Sequence, residues 1–222
     1  MIRTQPVIVS PARETLATHK VLRNTYALLS MTLLFSAAMA AVAVSVGAPP
    51  LGFLVTLVGM LGMLFLTMKL RNSAWGLVSV FGFTGFAGFS IGPMLSAYLA
   101  LPNGAELVLM TAGLTGTIFL ALSAYVLTTR RDFSFMGGFL FVGLITALVL
   151  SLAAFFFEMP GLQLAVSGLV VLLMSGFILY DTSSIVNGGE TNYIMATVAL
   201  FLDILNLFTS LLQLLGVLSG DD

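Results

Sequence analysis

The sequence predicts an all-α protein: a seven-transmembrane-helix bundle in a lipid bilayer. Three observations carry that prediction. Of 222 residues, 59% are hydrophobic and only 8% are charged, whereas a soluble domain carries roughly 25% charged residues. So few charges cannot cover a water-facing surface, so most of the surface must face lipid. The chain also divides into seven apolar segments, and a helix rising 1.5 Å per residue needs about 20 such residues to cross about 30 Å of hydrocarbon. Finally, all eight cationic residues fall on one side if every segment crosses once.

The segments are approximately 25–47, 51–68, 75–101, 105–128, 134–157, 162–185 and 193–218. Each break carries residues that interrupt a helix or prefer water. Pro49-Pro50 separates the first two segments, and Lys69, Arg71 and Asn72 the next two. Pro102-Asn103-Gly104, Arg130-Arg131-Asp132, Glu158-Met159-Pro160-Gly161 and Asn187-Gly188-Gly189-Glu190 mark the rest. Loops this short force consecutive helices to run antiparallel as neighbours. The first apolar run exceeds the roughly 7–15 residues of a signal-peptide core, so it reads as a span that stays attached.

Orientation follows from the cations, which favour the cytoplasmic side. Arg3, Arg13, Lys20 and Arg23 precede the first span, Lys69 and Arg71 follow the second, and Arg130 and Arg131 follow the fourth. Glu106, Glu158, Asp221 and Asp222 fall on the other side. The expected topology has a cytoplasmic N-terminus and an external C-terminus. Residues 1–23 read as a polar cytoplasmic tail and 24–222 as the transmembrane domain. The tail anchors topology or serves as a handle for a partner protein.

Several chemistries are excluded. The chain has no cysteine, and its single histidine, His19, lies in the tail. Thiolate chemistry, disulfides and histidine-cluster metal sites are therefore not expected, nor is a Ser-His-Asp arrangement in the bundle. No cofactor is implied, and no basic run suggests nucleic acid. Gly82, Gly85, Gly88 and Gly92 in the third span lie at helical spacing and read as a close-packing face, with a bend expected near Pro93. No strand or phosphate-binding lysine accompanies them, so they are not a nucleotide loop. Thr84, Ser90 and Thr117 are expected to bond back to their own helices. The twelve methionines read as apolar filler.

Two residues break the apolar rule. Asp203 lies alone in the last apolar run, and Asp181 lies near the end of the sixth. An aspartate at the centre of a span costs roughly 2.5–3.5 kcal/mol, so a proton, a partner or a water-filled cavity must offset it. The two segments are antiparallel neighbours, and equal depth requires a turn centred near Asn192. The glycine pair at 188–189 suggests an earlier centre, and the mismatch of about three residues, or ~4.5 Å, is within reach of side chains. If the carboxyls touch, both cannot ionise cheaply and they titrate as a unit. That describes a proton switch. The alternative is an aspartate that hydrogen-bonds between helices for packing alone.

At these residues a family becomes recognisable. Ser175-Gly176-Phe177-Ile178-Leu179-Tyr180-Asp181-Thr182, followed by Asp203 in Leu202-Asp203-Ile204-Leu205-Asn206-Leu207-Phe208, resembles the Bax inhibitor family. Three more blocks resemble its bacterial YccA-like branch: residues 18–26 (THKVLRNTY), 123–130 (SAYVLTTR) and 188–194 (GGETNYI). The resemblance runs from Thr18 through nearly the whole chain. It implies seven helices around a central last one, in a bacterial inner membrane. It further implies binding and modulation of the membrane-anchored FtsH protease, with the tail, including His19, Lys20 and Arg23, as the partner-binding handle. Channel-type relatives instead imply a pH-sensitive calcium leak gated by an aspartate pair matching Asp181 and Asp203, with calcium as the transported ion. In those relatives an arginine on the second helix contacts the pair. Here the candidate cationic neighbours are Lys69 and Arg71, at the end of the second span. A scaffold without transport is a further reading. An enzyme is not expected, although a carboxyl pair could in principle act as an aspartyl protease, which a cleavage assay would reveal.

Overall fold

The computed structural model describes residues 11–219, with side chains from residue 18 onward. Among them are seven long helices and no strand. They are α1 (Pro11–Ser45), α2 (Phe53–Leu70), α3 (Trp75–Leu99), α4 (Gly104–Thr129), α5 (Gly137–Phe156), α6 (Pro160–Val186) and α7 (Tyr193–Leu218), with a short 3-10 turn at Ser134–Met136 before α5. All seven are long and apolar enough to cross a membrane. Their outer faces carry Leu34, Phe65, Leu109, Phe155 and Leu172, each at least 68% exposed, a coat of large apolar side chains that suits lipid and not water.

The helix boundaries match the expected spans closely except at the start. α1 begins at Pro11, so residues 11–23 continue the first helix instead of forming a separate tail. Proline suits the first helical turn, where its missing N–H is not needed. No glycine or proline follows until Gly47. Val21 and Leu22 pack against the core, which draws this polar stretch into the bundle. The tail's first ten residues lie outside the described residues.

α7 is the central helix. Half of its most apolar window is buried, against 6% for α2, and it packs on α1, α3, α4 and α6. α2 leans on α3, and α5 on α6 and the turn before it. The cationic ends coincide. The Asn192 amide at the start of α7 donates to the Arg71 carbonyl (3.2 Å) and to Asn72 Oδ1 (2.9 Å). Its Oδ1 accepts from the backbone N–H groups of Ile194 and Met195, capping α7. One side chain thus both starts the central helix and ties it to the α2–α3 loop.

Close packing of α1 on α3 uses the glycine face. A Cβ at Gly88 would collide with the Ser36 backbone carbonyl, and one at Gly92 with the Ala43 Cβ. α3 continues through Pro93 to Leu99. Thr84, Ser90 and Thr117 each donate to the carbonyl four residues earlier, as expected for hydroxyls that lack water. Thr197 on α7 donates to Tyr193 O and reaches Thr25 O on α1, joining the first and last helices. Gly88→Val is expected to cost about 1–3 kcal/mol by forcing these backbones apart. Gly113→Ala, where the new methyl meets open space, is expected to leave stability unchanged or slightly raised. Thermal unfolding of the detergent-purified variants measures both.

Candidate functional site

The site forms where α6 and α7 cross near the cationic end. Asp203 is only 6% exposed and Asp181 is half-buried. Their carboxyls lie within hydrogen-bonding reach of each other, and Glu190 in the α6–α7 loop is near enough to act on Asp181 through charge. Asp203 Oδ2 finds no hydrogen-bond partner.

Helix direction explains how two residues at unequal heights meet. Ser167 on α6 donates to Gln213 Oε1 on α7 at 2.6 Å, which sets the register of the two helices. Counting from that contact, Asp181 lies four residues farther toward the cationic end than Asp203, or about 6 Å. Side chains lean toward the N-terminus of their helix. In this antiparallel pair Asp203 therefore leans toward the cationic end and Asp181 away from it, so the carboxyls converge. The six-residue loop between the helices absorbs the offset. It does so through Gly188, whose φ of 76° is open to glycine at no steric cost.

The surrounding groups hold α6 in place. The Phe133 N–H donates to Ser183 Oγ (3.1 Å), and Ser123 Oγ lies 3.5 Å from Thr182 Oγ1. Two bonds thus fix the helical turn after Asp181 to α4 and the loop that follows it. Two like-charged carboxylates in lipid-embedded protein would repel strongly, whereas one shared proton converts the contact into a hydrogen bond. The arrangement can therefore hold a proton between helices and loosen when that proton leaves.

Lys69 and Arg71 are exposed and sit apart from this pair. The Arg71 carbonyl is held at the very start of α7 by Asn192, and Asp203 lies eleven residues along that helix, about 16 Å deeper. That distance exceeds the reach of either cationic side chain to Asp203, and α2, which carries Lys69, packs on α3. His19, Lys20 and Arg23 are also exposed. With Leu22, Tyr26 and Leu127 they line an open cavity of about 610 Å³ between α1 and α4, away from the carboxyls. No group of three or more His, Cys, Asp or Glu side chains could hold a metal among the described residues.

Sequence reasoning missed a polar groove on the other side of Asp203. Asn206, Ser210 and Gln213 follow it at intervals of three, four and three residues, the spacing of one helix face. Together with Gln163 and Ser167 of α6 and Ser151 of α5, they line a cavity of about 250 Å³. A second cavity of about 230 Å³ shares Gln163, Ser167 and Gln213 and opens beside Pro160 and Val217. The spacing was legible in the sequence; the facing residues on α5 and α6 were not.

The fold and site define a polytopic helical membrane protein with an acid pair between its last two helices. The chain belongs to the Bax inhibitor family: the family model described as inhibitor of apoptosis-promoting Bax1 matches residues 18–220. It is 49% identical over 206 residues to the modulator of FtsH protease YccA of Escherichia coli K12, covering 93% of this chain and 94% of that one. An uncharacterised protein of Pseudomonas aeruginosa is 52% identical over 202 residues, 91% of each chain. An uncharacterised membrane protein of Vibrio cholerae is 50% identical over 214 residues, 96% of each.

If the carboxyls share one interaction, their replacements are not additive. The double variant Asp181→Asn/Asp203→Asn is expected to differ from the sum of the single variants by about 0.5–3 kcal/mol. Unfolding of the four proteins in detergent measures this coupling, and additivity would count against the contact.

Proposed function

We propose that this protein resides in the bacterial inner membrane with its cationic end at the cytoplasm, where it binds and modulates an FtsH-type membrane protease. The observation that carries this reading is its 49% identity, over nearly the full length of both chains, to a relative named for that activity. Coverage of this extent concerns the bundle and not one shared motif, and the family model itself matches residues 18–220, which take in all seven spans. The exposed His19, Lys20 and Arg23 of α1 offer a polar, cation-bearing surface for the protease. The protein acts here by binding, without catalysis of its own.

Affinity purification of the tagged protein from native membranes is expected to recover the protease. Overproduction is expected to lengthen the half-life of a membrane substrate of that protease. Deleting residues 2–10, which leaves every described helix intact, is expected to slow the protein's own turnover if the protease pulls from that end. Absence of the protease from the purified material, together with an unchanged substrate half-life, would overturn the proposal.

The contact between Asp181 and Asp203 favours a second reading, a proton-sensitive cation leak with calcium as an ion carried. Each carboxyl faces the other, and Glu190 adds negative charge from the loop, while Lys69 and Arg71 stand too far off to neutralise the pair. Loss of the shared proton would drive α6 and α7 apart. Calcium entry into proteoliposomes is expected to rise as pH rises, and Asp203→Asn to flatten that dependence. Flux no greater than that of empty liposomes between pH 5 and 9 would sink this reading.

A further inference from the structure

The environment of the acid pair is unequal at its two ends. Toward the cationic end, Thr182, Ile185, Ala196 and Leu200 are each at most 2% exposed, and the two helices close against their neighbours. Toward the opposite end runs the polar groove of Ser151, Gln163, Ser167, Asn206, Ser210 and Gln213. It begins at the end of the bundle beside Pro160 and Val217. It continues to Asn206, one helical turn short of Asp203. The Asn206 amide nitrogen donates to the Leu202 carbonyl (2.8 Å), on the turn that carries Asp203.

Three amides and three hydroxyls gathered along one groove are costly against hydrocarbon, because lipid tails offer them nothing to bond. Only some are satisfied within the chain. Ser167 bonds to Gln213 and to the Gln163 carbonyl, and Asn206 uses its amide nitrogen. Ser210, at 7% exposure, lines this cavity without a hydrogen-bond partner in a neighbouring helix, so a water in the cavity is the partner left to it. Asp203 Oδ2, the unpartnered buried oxygen, lies beyond the inner end. The apolar cleft between α1, α3, α4 and α7, of about 600 Å³, is lined on its α7 side by Phe201, Ile204, Leu205 and Phe208 and has no comparable polar row on that helix.

We infer that the groove is a water-filled half-channel, open at the cation-free end and ending at Asp203, through which water and protons reach Asp203 from that side. The inference rests on the carboxyl-switch reading for its purpose, but the groove can be tested without any flux. The chain has no cysteine, so single cysteines can be probed one at a time in the full-length protein.

The variants Ser210→Cys, Asn206→Cys, Thr197→Cys, Ala41→Cys and Arg131→Cys are placed in right-side-out and inverted membrane vesicles. Each is exposed to a membrane-impermeant, cationic methanethiosulfonate reagent. Arg131→Cys marks the cationic end, Ala41→Cys reports the apolar cleft, and Thr197→Cys reports the closed side. Gel filtration identifies any variant that fails to fold, and with two groove positions one failure leaves the other informative. The reagent attacks thiolate, which forms in water and not in lipid. Ser210→Cys and Asn206→Cys are therefore expected to react at least ~10-fold faster than Ala41→Cys. They should do so in the vesicle orientation in which Arg131→Cys is protected, while Thr197→Cys stays unreactive in both. Groove cysteines that react no faster than Ala41→Cys, as they would if lipid or a partner helix filled the groove, overturn the inference. Reaction from the Arg131 side overturns it as well. Labelling without calcium flux would sink the leak and leave the half-channel standing; flux without labelling would do the reverse.

Discussion

The rest of this structure depends on the burial of a carboxyl inside a bundle of membrane-spanning helices. Asp203 lies on the most deeply buried of the seven spans, at 6% exposure. Its energy there is set by what the neighbouring helix brings to it. A second carboxyl meets it from α6, leaning the opposite way because the helices are antiparallel. In the proposed switch the α6–α7 interface responds to a single proton, and α7 packs on α1, α3, α4 and α6. A polar group at this position is expensive, and such expense inside a membrane usually marks function.

A shortage of water shapes the remainder of the bundle. Hydroxyls in the spans turn back to their own carbonyls, as Thr32, Thr111 and Thr115 do. Glycines on α3 bring its backbone against α1, where dispersion contacts replace the hydrophobic drive that lipid removes. The amides of Gln163, Asn206 and Gln213 collect in the groove between α5, α6 and α7. The interior therefore has an apolar side and a polar side relative to α7, and the acid pair lies beside the inner end of the polar one. The proposed protease-modulating role and the proposed proton switch are compatible, because a partner bound at the cationic end would contact the ends of α6 and α7 that flank the pair.

Much of this was legible in the chain, for identifiable reasons. Helix spans were readable because hydrocarbon thickness sets their length, and breaks because charged and polar residues gather there with the turn-forming prolines and glycines. Asp181 and Asp203 stood out because nothing else in their runs is charged. Other features were not readable. The polar stretch before the first span looked like a free tail, yet α1 begins at Pro11, since Val21 and Leu22 find core to pack on. Lys69 and Arg71 were candidates to neighbour the acid pair. Asn192 instead anchors their loop at the start of α7, a depth that linear spacing does not report.

The sequence by itself determined that this is a seven-span membrane protein of the Bax inhibitor type, with cations gathered at one end and acids in the last two helices. These properties follow from composition and order, which the bilayer reads directly. Only the tertiary structure decided that the two acids touch. It also decided that Lys69 and Arg71 stand apart from Asp203 and that a polar row on α7 faces partners from α5 and α6. Those facts depend on helix register and on the direction in which side chains lean across an antiparallel pair. The six residues between α6 and α7 leave several registers open, and packing selects one.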